Sequence, residues 1–249
     1  MLRVISTGYD GKMGKIVADT VRADENCELA FVQARSASDC AHDVKIFENL
    51  ADCDEKADVM IDFSHHANLD NTLGYALRTK TPIVIATTGF NDEELDRIHE
   101  AAKEIPVFLS YNMSLGVNIL VKLVKEAAKA LKGFDIEIIE KHHNRKVDAP
   151  SGTAIMIANG VKEVLPESKI VNGRSGRSCK RQPGDIGLSA VRGGTIVGEH
   201  DALFAGDSEV VTISHQAQSR QIFANGALAA AKFLATKEAG FYNMDDMLK

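Results

Sequence analysis

Two histidines, an arginine and a lysine lie in one short stretch near the middle of the chain, EIIEKHHNRKVDAPSGTA at residues 137–154. Histidine and lysine side chains can donate protons near neutral pH. The small polar residues after Pro150 are typical of a helix start, where unpaired amide groups and a hydroxyl can meet an anion. Because a cationic run leads directly into this terminus, the stretch predicts a site for an anionic carboxylate or phosphate that must be protonated.

The run KHHNRK at 141–146 also admits other roles. On a strand, the adjacent His142 and His143 point to opposite faces, which disfavours joint binding of one metal ion. The run is short and has no interleaved aromatic residues, which disfavours binding of nucleic acid. A solvated run of surface charge remains the alternative for these six residues taken alone.

A second motif, TGYDGKMG at 7–14, lies between the first apolar run and the first helical pattern. Gly8, Gly11 and Gly14 have the spacing G-x-x-G-x-x-G, with Asp10 where a dinucleotide-binding motif usually has its second glycine. In such motifs the glycines permit a tight turn and let amide groups approach a pyrophosphate at the helix N-terminus. A plain glycine turn is the alternative, but the position after a strand favours a dinucleotide site.

The end of the second predicted strand lacks the acidic residue that usually holds the ribose hydroxyls of NADH, about 20 positions after the glycines. Ala34 and Arg35 stand there instead, followed by Ser36. Gln33, Ala34 and Arg35 can be ordinary loop residues, or they can mark a site for a 2′-phosphate. In the second case Arg35 is placed to meet the phosphate, Ser36 could add a hydroxyl, and Lys12 could approach from the glycine loop. Because Asp10 adds a nearby negative charge, we predict that NADPH is preferred and that NADH is still used.

The order of the apolar runs predicts an α/β protein with two domains. In the first half, short Val- and Ile-rich runs alternate with amphipathic stretches, which indicates a Rossmann-type doubly wound parallel sheet covered on both faces. The predicted strands are 2–6, 28–34, 57–64 and 106–110, with a strand and turn at 81–89, and the predicted helices are 12–23, 67–79, 91–104 and 115–131.

From residue 134 onwards, apolar and polar residues alternate, which predicts a second α+β domain with an open mixed or antiparallel sheet. Its predicted elements are strands at 134–142, 187–193, 195–205 and 208–218, a helix at 152–164 and a mobile loop at 172–185. An alanine-rich helix at 224–240 could pack back on the first domain. We therefore expect a dinucleotide-binding domain at 1–113 and 217–249, and a substrate-binding and oligomerisation domain at 114–216.

Composition limits the partners of the 249-residue chain. Its formal net charge of −6 disfavours a general nucleic-acid or membrane surface. We expect free thiols and no metal, because no C-x-x-C pair or zinc pattern is formed by Cys27, Cys40, Cys53 and Cys179. The opening residues lack the features of a signal peptide, and no apolar run approaches the ~18–20 residues of a membrane span. These features predict a cytoplasmic protein.

The motifs resemble those of the dihydrodipicolinate reductase family, also called 4-hydroxy-tetrahydrodipicolinate reductases. The resemblance is carried by EIIEKHHNRKVDAPSGTA and by GYDGKMG, DVMIDFS, IATTGF, YNMSLGVN, VRGGTIVGEH and IFANGALAAA, which follow in order along nearly the whole chain. It implies a two-domain enzyme that reduces 4-hydroxy-tetrahydrodipicolinate, a cyclic dicarboxylate, to tetrahydrodipicolinate with NADPH or NADH in diaminopimelate and lysine biosynthesis. It also implies a homotetramer joined through the second sheet.

The resemblance assigns roles to individual residues. His142 matches the catalytic histidine and Lys146 the catalytic lysine, and either could deliver the proton. The matched contacts to the substrate carboxylates are His143, Gly152 and Thr153. The matched cofactor contacts are Gly8, Tyr9, Asp10, Gly11, Lys12 and Met13 at the pyrophosphate, Ala86, Thr87 and Thr88 beside the nicotinamide, and Ser110, Tyr111, Asn112 and Met113 in a hinge strand. Asp10 and Ala34 depart from the family pattern, and both bear on the cofactor.

Two other functions remain as alternatives. A non-catalytic protein that senses NAD(P) would keep the glycine loop but would not need Lys146 or the PSGT turn. A dehydrogenase that acts on an amino-acid semialdehyde would share the first domain but not the double-histidine motif. Connections near residues 113 and 217 lead us to expect that the domains close around the substrate.

Overall fold

The computed structural model describes residues 1–36 and 44–249. The chain divides into two compact units, of which the first comprises Met1–Leu115 and Gln221–Lys249 and the second comprises Gly116–Arg220. Cys27, Cys53 and Cys179 are free thiols, whereas Cys40 lies outside the described residues. Across the described ranges, the helices are all too short or too polar to cross a lipid bilayer.

The first unit contains a sheet of seven parallel strands. They are β1 (Leu2–Thr7), β2 (Cys27–Gln33), β3 (Ile46–Phe47), β4 (Val59–Asp62), β5 (Ile83–Ile85), β6 (Pro106–Leu109) and β12 (Gly240–Tyr242). Their order is β12-β6-β5-β4-β1-β2-β3. The chain therefore winds outward in one direction from β1 and in the other from β4, and sheets of this kind bind ligands beyond the carboxyl ends of the strands at that point.

Helices cover both faces of this sheet. They are α1 (Lys12–Arg22), α2 (Leu69–Thr79), α3 (Asp92–Ala101), α6 (Gln221–Leu234) and the short α7 (Met244–Met247). Met60 packs with the core beneath α2 and α3, whereas its neighbour Ile61 packs with the core beneath α1 and α6. Both are fully buried, which explains why the strands are continuous apolar runs.

The second unit contains a five-stranded mixed sheet and two helices. The strands are β7 (Asp135–His142), β8 (Lys169–Asn172), β9 (Asp185–Arg192), β10 (Gly198–Ala205) and β11 (Val210–Ala217), and the helices are α4 (Leu115–Ala130) and α5 (Gly152–Val164). The order is β11-β10-β7-β9-β8. α4 and α5 pack on the face that carries Ile138 and Phe204. On the opposite face, Val191 and Val210 are 46% and 59% exposed.

One predicted strand pairing is wrong. The glycine turn after β9 was expected to join antiparallel neighbours, but β7 lies between β9 and β10 and runs parallel to β9. Gly193 donates its amide hydrogen to the carbonyl of His142, and Asn144 donates to Gly194. The turn is therefore bonded to the end of β7 and does not close a hairpin.

Other differences concern element bounds. The short strands β3, β8 and β12 were not predicted, and the helix expected at 224–240 spans Gln221–Leu234 because β12 begins at Gly240. The segment 172–185 was predicted to be a mobile loop. Arg174 and Arg181 from this segment both form ion pairs with Glu137 on β7.

Two helical glycines offer a matched test of packing in the first unit. A β-carbon on Gly226 would lie 1.7 Å from the carbonyl oxygen of Met113, whereas one on exposed Gly74 would meet nothing within 4 Å. We expect Gly226→Ala to lower the free energy of unfolding by about 1–3 kcal/mol or more through overpacking. Gly74→Ala should raise it by about 0.5–1 kcal/mol. Urea unfolding measures both, and a Gly226→Ala protein as stable as the native one would contradict the close contact.

Candidate active site

The glycine loop between β1 and α1 leaves the start of the helix open. Gly8 has φ +73°, and a β-carbon there would lie 2.6 Å from the carbonyl oxygen of Phe63. A β-carbon on Gly14 would lie 2.2 Å from the carbonyl oxygen of Gly8. Gly11 precedes α1 without a side-chain cap, and the first turn holds no acidic residue. The first amide groups of α1 therefore fit the pyrophosphate of a dinucleotide.

Asp10, which stands where the motif usually has a glycine, is bonded to Arg35, which follows the end of β2. The Asp10 carboxylate accepts hydrogen bonds from Arg35 Nε at 2.8 Å and from the Arg35 amide at 3.4 Å. Partial burial opposes ionisation of Asp10, but these bonds outweigh it and hold the pKa of the carboxyl below its ordinary value. The Arg35 side chain is 86% exposed, so the predicted phosphate contact lies at the surface beside a competing carboxylate.

The other residues at the end of β2 have structural partners. Ala34 is fully buried and donates its amide hydrogen to Phe47. The side-chain amide of Gln33 donates to the Glu48 carbonyl and accepts from Asn68. Gln33 is therefore committed to local packing, and Arg35 is the residue of this strand end whose charge faces solvent.

Asp62, which was not predicted as a site residue, organises the carboxyl edge of the first sheet. This carboxylate is 1% exposed and accepts hydrogen bonds from the hydroxyls of Thr7 and Thr87 and from the amide of Ser64. It connects the ends of β1, β4 and β5. Asp62 stands at the end of an apolar strand and directly before a polar turn, in the sequence DFS at 62–64. This position is the feature of the sequence that could have identified it.

The remaining predicted cofactor residues divide by exposure. Thr88 is exposed, and Ala86 and Lys12 lie at the same edge of the sheet. Ser110 and Asn112 form a local turn after β6, in which the Ser110 hydroxyl bonds the backbone of Asn112. Tyr111 is 58% exposed. The side chains of Tyr9, Met13 and Met113 pack in the core of the first unit. For these three residues, the backbone is the part that a cofactor could contact.

In the second unit, β7 places Glu140 and His142 on its inner face. Glu140 is fully buried and accepts two hydrogen bonds from the Arg192 guanidinium, each of 2.7 Å, one from His142 Nδ1 at 2.6 Å and one from the Ser151 amide at 3.0 Å. Burial opposes ionisation, but the bonds from Arg192, His142 and Ser151 outweigh it and hold the pKa of Glu140 below its ordinary value. The carboxylate is therefore charged.

His142 is held between this carboxylate and a second buried histidine. Its ring lies edge-on to His200, with ring centres 5.2 Å apart. His200 Nε2 lies 3.0 Å from the Ser151 hydroxyl, which also accepts the amide hydrogen of Ala154 and so caps α5. Burial, followed by the nearby charge of His142, lowers the pKa of His200 to about 4. His200 is neutral at physiological pH.

The predicted anion-binding residues lie in the turn after β7 and at the start of α5. Lys146 Nζ lies 2.9 Å from the Asp148 carboxylate, and this bond lowers the pKa of Asp148. Desolvation, followed by neighbouring positive charges that include Arg145, lowers the pKa of His143. Gly152 and Thr153 form the first turn of α5, which has no acidic residue. The arrangement can bind an anion and supply a proton from a fixed imidazole.

Sequence reasoning identified His142, His143, Lys146 and the α5 terminus, but not Glu140, Arg192 or His200. The i, i+2 spacing of Glu140 and His142 on a predicted strand is a signal that could have placed them on one face. Arg192 lies 52 residues from Glu140, and no spacing in the sequence predicts that contact. In the part of the chain that the structure describes, no group of three or more His, Cys, Asp or Glu side chains is arranged so that it could hold a metal ion.

Two sequence families match the chain in succession. The family described as "Dihydrodipicolinate reductase, N-terminus" matches residues 2–113, and that described as "Dihydrodipicolinate reductase, C-terminus" matches residues 116–248. The chain is also similar to the 4-hydroxy-tetrahydrodipicolinate reductase of Caldanaerobacter subterraneus subsp. tengcongensis. The two are 54% identical over 250 residues, which cover 100% of this chain and 99% of that protein.

Solved structures share the fold. A dihydrodipicolinate reductase from Paenisporosarcina sp. TG-14, with dipicolinate bound, has a TM-score of 0.82 and 27% identity, covering 98% of this chain and 97% of that chain. The scyllo-inositol dehydrogenase of Lactobacillus casei with bound NAD(H) has a TM-score of 0.60 and 12% identity, covering 100% and 93%. The likeness to the Paenisporosarcina reductase confirms the predicted fold class. The likeness to the Lactobacillus casei dehydrogenase shows the fold alone.

His200 gives the protein a pH-dependent stability. The unfolded chain takes up a proton on this residue near its ordinary pKa of 6.5, but the folded chain does so only near pH 4. Acidification between these values therefore favours unfolding, by at most about 1.4 kcal/mol per pH unit. Urea unfolding gives the free energy of unfolding of the native protein and of His200→Gln. The amount by which the native value exceeds the variant's should shrink as the pH falls from 6.5 to 4.5. An advantage that is constant with pH would contradict the buried neutral state.

Proposed function

Because the chain belongs to the dihydrodipicolinate reductase family, we propose that its two units divide one reaction between them. The reaction is the reduction of 4-hydroxy-tetrahydrodipicolinate to tetrahydrodipicolinate in diaminopimelate and lysine biosynthesis, and the chain is an NAD(P)H-dependent oxidoreductase of this class. The first unit holds the cofactor, and the second holds and protonates the substrate. The observation that carries the proposal is a buried imidazole fixed by Glu140, with Lys146 and the N-terminus of α5 in the same unit.

The substrate is a cyclic dicarboxylate, and the second unit offers donors that suit its two carboxylates. His143, Lys146 and the amides of Gly152 and Thr153 bind these groups, with the partial positive charge of the α5 terminus adding to the attraction. The dipicolinate bound to the Paenisporosarcina protein supports this substrate class. Dipicolinate should therefore compete with the substrate of this chain.

The cofactor is held by the open start of α1 and by the carboxyl edge of the first sheet. A reduced nicotinamide supplies the hydride when it is bound. The chain's own residues hold the substrate carboxylates and provide the proton that balances the negative charge developing on the substrate ring. His142 can donate this proton from Nε2, because Nδ1 is bonded to Glu140, and Lys146 can donate it from Nζ.

The chain acts as a cytoplasmic homotetramer joined through the second sheet, in keeping with its biosynthetic family. The face of that sheet opposite α4 and α5 supports this assembly. It carries exposed Val191 and Val210 together with an ion-pair cluster in which Lys141 lies 3.0 Å from Glu199 and 3.3 Å from Asp201. Apolar side chains beside charges that are paired with one another are suited to burial against a second copy.

A coupled assay tests the proposed reaction and the role of Lys146 together. Pyruvate and aspartate semialdehyde are condensed by the preceding synthase, and loss of NADPH is followed when this protein is added. We expect Lys146→Ala to lower kcat by ~10²-fold or more, since it removes a proton donor, and to leave NADPH affinity nearly intact. Lys162→Ala, which changes an exposed lysine near the end of α5, is the matched control. A loss in kcat/KM under about threefold would exclude a catalytic role for Lys146.

The preference for NADPH depends on the balance between Arg35 and Asp10. One contact between an arginine and a phosphate contributes about 1.5–3 kcal/mol, or roughly a 10- to 150-fold preference. Asp10 competes for the guanidinium, so the native preference should lie near the lower end. We expect Arg35→Ala to abolish the preference and Asp10→Asn to increase it. Dissociation constants and kcat/KM for both cofactors measure this, and a preference untouched by Arg35→Ala would show that the residue does not bind the phosphate.

A further inference from the structure

The Glu140 carboxylate bonds two functional groups at once, one through each oxygen. Oε2 accepts from His142 Nδ1 and from one terminal nitrogen of Arg192, and Oε1 accepts from the Ser151 amide and from the other terminal nitrogen. Ser151 is the residue that caps α5. The imidazole of His142 and the N-terminus of α5 are therefore fixed to a single planar group, and Arg192 bonds both oxygens of that group.

We propose that Glu140 is a positioning residue that sets the protonation geometry of His142 and holds it in register with the start of α5. This inference rests on the proposed function and deepens it. An ionised carboxylate can only accept hydrogen bonds, so Nδ1 of His142 carries its hydrogen toward Glu140. Nε2 is then the nitrogen that exchanges a proton with a substrate, and the nearby negative charge stabilises the protonated imidazole.

Arg192 extends the same connection to the turn that carries Lys146. Besides its two bonds to Glu140, its guanidinium donates to the carbonyl of Asp148 at 2.7 Å. Asp148 is the partner of Lys146 through its side chain. One arginine on β9 thus holds the carboxylate that orients His142 and the backbone of the turn that presents the second candidate proton donor.

The charged and titratable groups around His142 come from every element packed against it. Arg192 approaches from β9, neutral His200 from β10 with His215 beyond it on β11, and Lys146 and His143 from the turn. Glu140, on the same strand as His142, adds the negative charge that is bonded directly to the ring. Its removal should therefore change how kcat depends on pH, because the other charged neighbours of the ring are cationic.

The test uses Glu140→Gln, which keeps the size of the side chain and removes its charge. In the coupled assay we expect kcat to fall by about 10²-fold, the lower range for loss of acid–base catalysis, with little change in the dissociation constant for NADPH. The basic limb of the pH profile of kcat should move to lower pH by about one unit, since the imidazolium loses its counter-charge. Glu137→Gln is the matched control, because Glu137 lies on the same strand as Glu140 and also pairs with arginines, Arg174 and Arg181, but lies outside the site.

A second measurement reads the imidazole itself. In protein labelled with ¹⁵N-histidine and free of ligands, the His142 signals, assigned with His142→Gln, should show hydrogen on Nδ1 in the native protein and loss of this single tautomer in Glu140→Gln. Glu140→Asp, which keeps the charge, should retain more of the tautomer and of the native pH limb. Should Glu140→Gln fail to fold, Glu140→Asp is compared with the native protein in the same way, and less of the Nδ1-H tautomer than in the native protein is expected because the shorter side chain holds the ring less closely.

The outcomes separate this inference from the proposed function. One outcome is a Glu140→Gln protein that is less stable yet keeps the native basic limb in its pH profile of kcat and the native tautomer of His142. That outcome would overturn the positioning role and show that Glu140 and Arg192 form an ion pair that serves stability alone. A native protein that binds cofactor but does not consume NADPH with substrate would overturn the proposed function, while the tautomer measurement would still decide the geometry of His142.

Discussion

Each unit is organised around a buried carboxylate and its need for hydrogen-bond donors. A charged group removed from water is tolerated only when donors surround it. In the second unit, Glu140 meets this requirement with Arg192, His142 and Ser151. In the first unit, Asp62 meets it with donors from the ends of three neighbouring strands and the turns that follow them. The loops that carry the site residues are therefore fixed by the same bonds that satisfy the buried charges.

The Glu140–Arg192 and Lys146–Asp148 ion pairs differ in their exposure to solvent. Glu140 and Arg192 are 0% and 20% exposed in their side chains, whereas Lys146 and Asp148 are 21% and 60% exposed. Ion pairs that water can reach contribute only about 0–1 kcal/mol, so in the proposed mechanism a substrate carboxylate displaces the exposed Asp148 from Lys146 at little cost. Breaking a buried pair leaves an uncompensated charge and costs about 3–5 kcal/mol. The site thus combines a rigid orienting group with a lysine that can change partners.

The sequence predicted those parts of the fold in which one short segment determines its own structure. Strands that lie in Val- and Ile-rich runs, and the helices between them, were identifiable because burial on both faces dictates their composition. β3 and β12 have only two and three residues, too few to show a period, and they form because a neighbouring strand supplies hydrogen bonds. The insertion of β7 between β9 and β10 was missed for a related reason, since strand order is set by tertiary packing and adjacency in sequence favours a hairpin.

The same distinction applies to the site. Motif spacing located His142, Lys146 and the terminus of α5, which lie within one short stretch. The partners that give these residues their chemistry, Arg192 and His200, enter from strands that follow much later in the chain. Their contacts depend on the register of β7 with β9 and β10, in which His142 lies opposite Arg192 and Glu140 opposite His200. Register of this kind follows from the pleat and the buried face rather than from any local pattern.

The alternation of a strand also explains how two adjacent histidines can have different roles. β7 ends at His142, which is the last residue to face the inner side of the sheet and is bonded there to a carboxylate. His143 begins the turn and lies among positive charges that lower its pKa. A neutral histidine in that setting can donate a hydrogen bond to an anion without adding to the repulsion between cations. One dipeptide at the end of one strand therefore supplies both an imidazole with a counter-charge, suited to carrying a proton, and a neutral one, suited to binding a carboxylate.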